Sequence, residues 1–241
     1  MNKLEIKLRE LNPNLFGKLN ETIEEVKLLL NQYIKNFPDY TDHSIHHTNK
    51  VYGIVADVLN DDEIENLNDD EIYILSMASY LHDIGMCIPE EKIKNIADTE
   101  ELLKQRELNP DQSREKYLRD IHHTLSKKFI LEEWELLKIP NEKYAEAIGL
   151  VSEGHRIVDI GNPELFNPKF YVKSGRSFVC LPYLASILRI ADELDITNIR
   201  TPELLTKYYM PENEKSISEW EKHIATSLMF FSDNYVEFEV K

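Results

Sequence analysis

Seven of the eight histidines stand in four short groups: "DHSIHH" (His43, His46, His47), "LHD" (His82), "IHH" (His122, His123) and "EGHR" (His155). The groups lie 33 to 40 residues apart. That interval matches one helix, a connection and a second helix, so successive groups can sit on different helices and face one interior point. Asp83 adjoins His82, and "RIADELDIT" contributes Asp192 and Asp195. Imidazole nitrogen together with carboxylate oxygen is a ligand field for first-row transition metals, with magnesium possible where carboxylate and water dominate. One ion needs about four to six ligands, and two ions can share a bridging carboxylate.

The stretch "YLHDIGM" sharpens this expectation. It puts adjacent ionisable side chains at the end of a segment whose Ile72, Leu75, Met77, Ala78 and Leu81 have a core pattern. Burying an unpaired imidazole and carboxylate is costly. A cation bound by both removes that cost, because each polar group gains a strong partner and the carboxylate is neutralised.

With those residues in view, the ordered series "HTNKV", "LHDIG", "HTLS", "GHR" and "LRIADELDI" resembles the HD superfamily of metal-dependent phosphohydrolases, from about residue 40 to about residue 200. The "YTDH" opening and "ADELDI" close are also similar to HD domains that precede heat-shock-protein-like ATPase modules. The resemblance implies a metal set of His47, His82, Asp83, His122, His155 and Asp192, with Asp83 as the bridge if two ions bind. It selects His47 over His46 because Val51 stands four residues on, and His122 over His123 because Ser126 does. His46 is then a packing or surface residue and His123 a polar surface residue. Asp195 either orients a ligand histidine or is a solvated helix-end carboxylate. His43 either faces phosphate or supports a neighbour, against a helix-start histidine with no chemical duty. Catalytic work falls to Asp83, His122, His155, Arg156 and His43. Anionic substrate needs cations beside the ligands, and Arg156, Arg119, Lys50, Arg189 and Arg200 are the candidates.

The implied reaction is hydrolysis of a phosphoester or phosphoanhydride in a nucleotide-like substrate. Its cofactor is one or two divalent ions among Mn, Fe, Mg, Co, Ni and Zn. Three rivals share the motif: a single-strand nuclease, a di-iron oxygenase of the HD type, and a metal-stabilised module that binds a nucleotide or signals without turnover. The formal charge of −16 argues against a broad grip on double-stranded nucleic acid, and against the nuclease. A homo-oligomer or an ATPase module is a compatible partner.

The elements that must position these groups are mostly helical. With 42% apolar and 30% charged residues the chain has an ordinary globular composition. The expected fold is an all-α HD-type bundle, one domain over residues 1–241, with a small extended element near the carboxyl end. Helices are expected at 14–36, from Asp42 onward, from Asp69 or Asp70 to "YLHDIGM", after Pro89, across "DQSREKYLRDIHHTLSKKFILEEWELLK" (about seven turns at 1.5 Å per residue), and at 141–155. The acidic run 61–70 is expected to be a loop, as is 156–175 with an extended piece at "PKFYV". A buried helix follows over "SFVCLPYLASILRIADELDI". Short helices are expected after Pro202 and at "SEWEKHIATSL", then an edge strand at "NYVEFEVK". Residues 14–36 and 202–241 are accessory to the core. Two cysteines, Cys87 and Cys180, make no disulfide framework and suit a reducing compartment as buried thiols. No apolar run suggests a leader or membrane anchor, so the cytoplasm is the expected location.

Overall fold

A computed structural model describes residues 1–173, 178–232 and 235–241. It contains α1 (Lys3–Leu11), α2 (Pro13–Leu30), α3 (Ile45–Val58), α4 (Asp61–Asn66), α5 (Asp69–Leu81), α6 (Glu100–Leu108), α7 (Arg114–Glu132), α8 (Glu142–Glu153), α9 (Leu181–Leu194), α10 (Glu203–Tyr209) and α11 (Glu214–Ala225), then strands β1 (Thr226–Ser232) and β2 (Tyr235–Val240). The fold is all-α with a small antiparallel hairpin at the carboxyl end.

Helix α5 is the centre. From Asp70 to Leu81 every residue is buried, as expected of a helix apolar on all sides. It touches α1, α2, α3, α8 and α9. Ser76 and Ser79 sit inside this apolar surround because their hydroxyls donate to the carbonyls of Ile72 (2.7 Å) and Leu75 (2.8 Å). At its end His82 closes the last turn and Asp83 leaves it with φ −101° and ψ 7°, followed by a buried 3-10 turn, Ile84–Cys87. That turn packs on α7.

Several element boundaries differ from expectation. The acidic run forms α4, because Asn60 and Glu63 make a reciprocal capping pair and three acidic side chains occupy the first turn, where the helix dipole favours them. Asn68, with Glu71, caps α5 in place of Asp69 or Asp70. Asp70 is buried instead beside Lys173 Nζ (2.7 Å) and the Tyr144 hydroxyl. The amino-terminal residues form α1, whose Leu4 and Leu8 are fully buried. Helix α2 tightens into a 3-10 turn over Asn31–Lys35, short of residue 36. Ser44, not Asp42, caps α3, and Asp42 instead accepts the Ser44 N–H at 2.8 Å.

After Pro89 the chain makes a 3-10 turn, Glu90–Asn95, before α6, with Asp98 at φ 57° between them. Helix α7 is shorter than the seven-turn span. It leaves helical geometry at Glu133, and the chain folds back through Lys138 (φ 56°) to bury Leu137 and Ile139. Phe178 to Cys180 precede α9 as extended chain, with Val179 bridging to Phe170 of "PKFYV". Residues 174–177, covering the end of the expected loop and the Ser177 start of the expected helix, lie outside the described residues, as does Asn234 of the edge strand. "SEWEKHIATSL" is helical only to Ala225, after which Thr226 begins β1. Cys87 is buried; Cys180 is partly exposed, unlike the fully buried thiol expected. Among the described residues no helix is long and apolar enough to cross a membrane.

Candidate metal centre

Each ligand candidate comes from a helix terminus or a helix face turned to the same interior point. His47 lies in the first turn of α3, His82 and Asp83 at the end of α5, His122 in the middle of α7, His155 just beyond α8, and Asp192 in the last turn of α9. Gly154 explains the glycine of "EGHR": a Cβ there would lie 2.7 Å from the Ala185 Cβ, so glycine lets α8 and α9 meet beside His155.

The four imidazoles share one arrangement. His82 Nδ1–H donates to the Ser79 carbonyl (2.9 Å), His122 Nδ1–H to Arg119 (2.7 Å) and His155 Nδ1–H to Ser152 (2.5 Å), in each case three residues back. His47 Nδ1–H donates to Asp195 Oδ2 at 2.7 Å. These acceptors fix the tautomer, so every neutral ring presents a bare Nε2.

Those Nε2 atoms converge in pairs. His47 and His82 approach to 3.3 Å, and His122 and His155 to 3.2 Å. Asp192 Oδ1 lies 3.3 Å from His47 Nε2 and 3.6 Å from His82 Nε2. Asp83 divides its oxygens: Oδ2 is 3.5 Å from both His47 and His82, while Oδ1 is 3.3 Å from His122 and 3.6 Å from His155. Two groups that could hold an ion result, His47, His82 and Asp192 in one and Asp83, His122 and His155 in the other. Donors about 2.1 Å from a common cation stand about 3.0–3.4 Å apart, close to the distances found. Lone pairs facing each other at such separations repel unless a cation lies between them, so the donor set fits two metal ions.

The electrostatics agree. Burial works against charge on His47, as does Arg200, but hydrogen bonds to Asp192, Asp195 and Asp83 outweigh them and raise its pKa to about 9. Burial also opposes charge on His82, and Asp83 and Asp192 raise it to about 10. Asp83 and Asp192 resist the upward pull of burial through the same imidazoles and stay well below the usual carboxylate range. The pocket demands positive charge, which protons supply when no ion does.

A cleft of about 730 Å³ opens over this centre. Asp83, His122, His155 and Asp192 form its floor, and His43, Arg119, Arg156 and Arg200 stand around it. His43 precedes the α3 cap and so is not on the helical face of His47, although the two rings lie 5.4 Å apart. Its Nδ1–H donates to the Thr41 carbonyl (2.6 Å), Arg200 Nη2 lies against the ring at 3.1 Å from Nε2 and 3.2 Å from Nδ1, and Arg119 Nη1 faces Nε2 at 3.4 Å. Burial first, then Arg200, lowers its pKa. Arg200 also donates to the Asp42 carbonyl (2.8 Å), and Arg119 lies over the Tyr40 ring.

Two of the expected substrate cations are elsewhere. Arg189 donates to the Gly154 and Val158 carbonyls (2.8 and 2.7 Å), fixing the His155 segment, and does not line the cleft. Lys50 does not line it either. His46 is exposed, whereas His123 is buried against the His122 ring rather than on the surface. Asp195, at 0% exposure, is the partner of His47 rather than a solvated carboxylate. No motif drew attention to α11, yet its Lys215, Trp220, Lys222 and His223 form one wall of the cleft. Ser216, Trp220 and His223, buried and spaced four and three residues apart, were the available sign of a helical face turned to the cleft.

No curated protein and no solved structure matches the chain. A family model described as HD-CE matches residues 37–240, which include all six ligand candidates. The chain belongs to the HD-CE family and carries an HD-type domain.

Proposed function

We propose that this chain is a metal-dependent phosphohydrolase that uses water to cleave a phosphoester or phosphoanhydride bond of a nucleotide-like substrate. One observation carries the reading: four Nε2 atoms and two carboxylates converge as two three-residue groups joined by Asp83. In it His47, His82 and Asp192 would hold one ion and Asp83, His122 and His155 the other, with the Asp83 carboxylate standing between the two groups.

Divalent ions so held supply Lewis acidity and lower the pKa of water from 15.7 towards about 7. The chain's own residues do the rest. Carbonyl partners and Asp195 hold the imidazoles in the tautomer that leaves Nε2 free. Arg156, beside His155, faces the phosphoryl oxygens, and Arg119 and Arg200 hold anion on the His43 side. The nuclease alternative gains no support from Trp220, which is 2% exposed and hydrogen-bonded and so offers no stacking platform, while the di-iron oxygenase shares the six-ligand set and is separated by the metal and by the reaction.

The test is metal analysis of the purified protein coupled to phosphate release from a nucleotide panel with Mn, Mg, Co and Fe. The wild type is expected to bind up to two ions and turn over. Asp83→Ala is expected to lose turnover by about 10³-fold or more, since it removes the ligand common to both groups. Equal activity in that variant, or oxygen-dependent turnover with iron and no phosphate release, overturns the assignment.

A further inference from the structure

His155 receives little support from its own element. Helix α8 ends at Glu153, two residues before it. The His155 N–H reaches the Ser152 carbonyl at 3.3 Å and the Arg156 N–H reaches the Glu153 carbonyl at 3.4 Å, both at the long limit of a hydrogen bond. From Ile157 to Ile160 no backbone N–H meets a backbone acceptor among the described residues. The bond from His155 Nδ1–H to the Ser152 carbonyl turns the ring but does not hold the backbone.

Arg189 supplies what the segment lacks. Its Nε donates to the Gly154 carbonyl at 2.8 Å and its Nη2 to the Val158 carbonyl at 2.7 Å. Those acceptors bracket His155. The two donors lie on one edge of a planar guanidinium, so a rigid group sets the span between the two carbonyls. The Gly154 carbonyl closes α8, at the helix end where a cation is favoured. Glu193 stands four residues further along α9, in the place of an ordinary helical ion-pair partner, yet both of these donors go to the main chain.

Arg189 and Asp192 are three residues apart on α9 and so share a face. Asp192 belongs to the group of His47 and His82, whereas His155 belongs to the group of Asp83 and His122. One turn of α9 therefore addresses both groups, the first through a ligand and the second through a clamp on the His155 backbone.

Resting on the two-ion phosphohydrolase reading, we propose that Arg189 is a positioning residue for the ion of Asp83, His122 and His155. By clamping Gly154 and Val158 to α9 it keeps His155 Nε2 at 3.2 Å from His122 Nε2, the separation that a shared cation requires. The other group needs no such clamp, because His47 lies within α3, His82 closes α5 and Asp192 lies within α9. Loss of Arg189 weakens one ion and spares the other.

Calorimetric titration of chelator-treated protein with manganese is the test, with His155→Ala as the reference for a lost second group. The wild type is expected to take up two ions. Arg189→Gln is expected to bind one ion within about twofold of the wild-type affinity and the other about 10- to 100-fold more weakly. Arg189→Lys is expected to fall between, because one ammonium keeps the charge but cannot span both carbonyls. A thermal melt of each metal-free variant shows that it is folded, and a residue that merely supported the fold would move both ions together. Unchanged affinity for both ions in Arg189→Gln, or equal weakening of the two, overturns the positioning role and leaves the phosphohydrolase reading standing. A wild type that takes up one ion at most overturns the two-ion centre together with this inference.

Discussion

His47 and His82 face two claimants for the same lone pairs, a proton and a metal ion. Without an ion the carboxylates around them win against burial and hold the pKa values at about 9 and about 10. Metal must then expel up to two protons near neutral pH, so its apparent affinity rises with pH up to that range. The stability of the metal-free protein has the complementary dependence. A folded pKa above the unfolded value of about 6.5 contributes stability that is full below pH 6.5 and disappears as pH climbs through 9 to 10. Metal-free protein is therefore expected to lose melting temperature between pH 7 and pH 10, and metal-loaded protein to lose less. Thermal unfolding with and without chelator across that range checks this, and parallel curves would contradict it. At this scale the sequence was informative where side-chain type alone restricts the chemistry. A buried His-Asp pair has few inexpensive explanations, which pointed to a cation at His82 and Asp83, and the resemblance to the HD superfamily then implied the set of six. The arginines were less legible. Arg189 and Arg200 both adjoin the Asp192 helix, and only the fold sends one to backbone carbonyls and the other to His43.

Asp83 and His122 belong to different elements, and their separation depends on how closely the Ile84–Cys87 turn approaches α7. Gly85 sits at that contact. Its N–H donates to Ser126 Oγ at 2.9 Å, and an added Cβ would meet the His122 carbonyl oxygen at 2.3 Å and the Ser126 nitrogen at 2.9 Å. Backbone cannot yield as a flexible side chain would, so Gly85→Ala must push the turn and α7 apart. The expected cost is about 1–3 kcal/mol or more, or about 2–4 °C of melting temperature per kcal/mol. The same displacement draws Asp83 Oδ1 from His122, so one equivalent of metal should be lost before the other. Calorimetric metal titration with a melting curve reads both effects, and a variant with wild-type stability and stoichiometry would show that the contact is relaxed without cost. Glycine in "LHDIG" thus has a packing reason that its place in the motif does not disclose. Other element-scale errors have a similar origin: α4 was hidden because acidity suggested a solvated loop, while the Asn60–Glu63 cap makes those charges favourable at a helix start. β1 was hidden because its Thr226–Ser232 pattern continues the apolar content of α11 and only pairing with β2 separates the two.

Across the whole molecule the metal ligands and the cleft wall have different owners. All six ligand candidates come from α3, α5, α7, α8, α9 and the chain adjoining them, whereas one wall is α11, attached to the segment before α3 and to the Thr197–Arg200 stretch after α9. Trp220 is the main anchor: it is 2% exposed, and its Nε1–H donates to the Asp39 carbonyl at 3.0 Å. Asn213 donates to the Asp39 carboxylate at 3.0 Å, and His223 to the Thr197 carbonyl. Removing a buried indole costs about 3–5 kcal/mol, and here that cost falls on the α11 attachment rather than on α5 and its surround. Trp220→Ala is therefore expected to leave metal stoichiometry intact while speeding hydrogen exchange over residues 213–225 and raising KM by about 10-fold or more, because Lys215 and Lys222 no longer close the cleft. Hydrogen-exchange mass spectrometry beside metal analysis distinguishes the two owners. Loss of metal together with α11 protection would mean that the carboxyl-terminal elements hold the centre itself, and the accessory character expected of residues 202–241 would then be wrong.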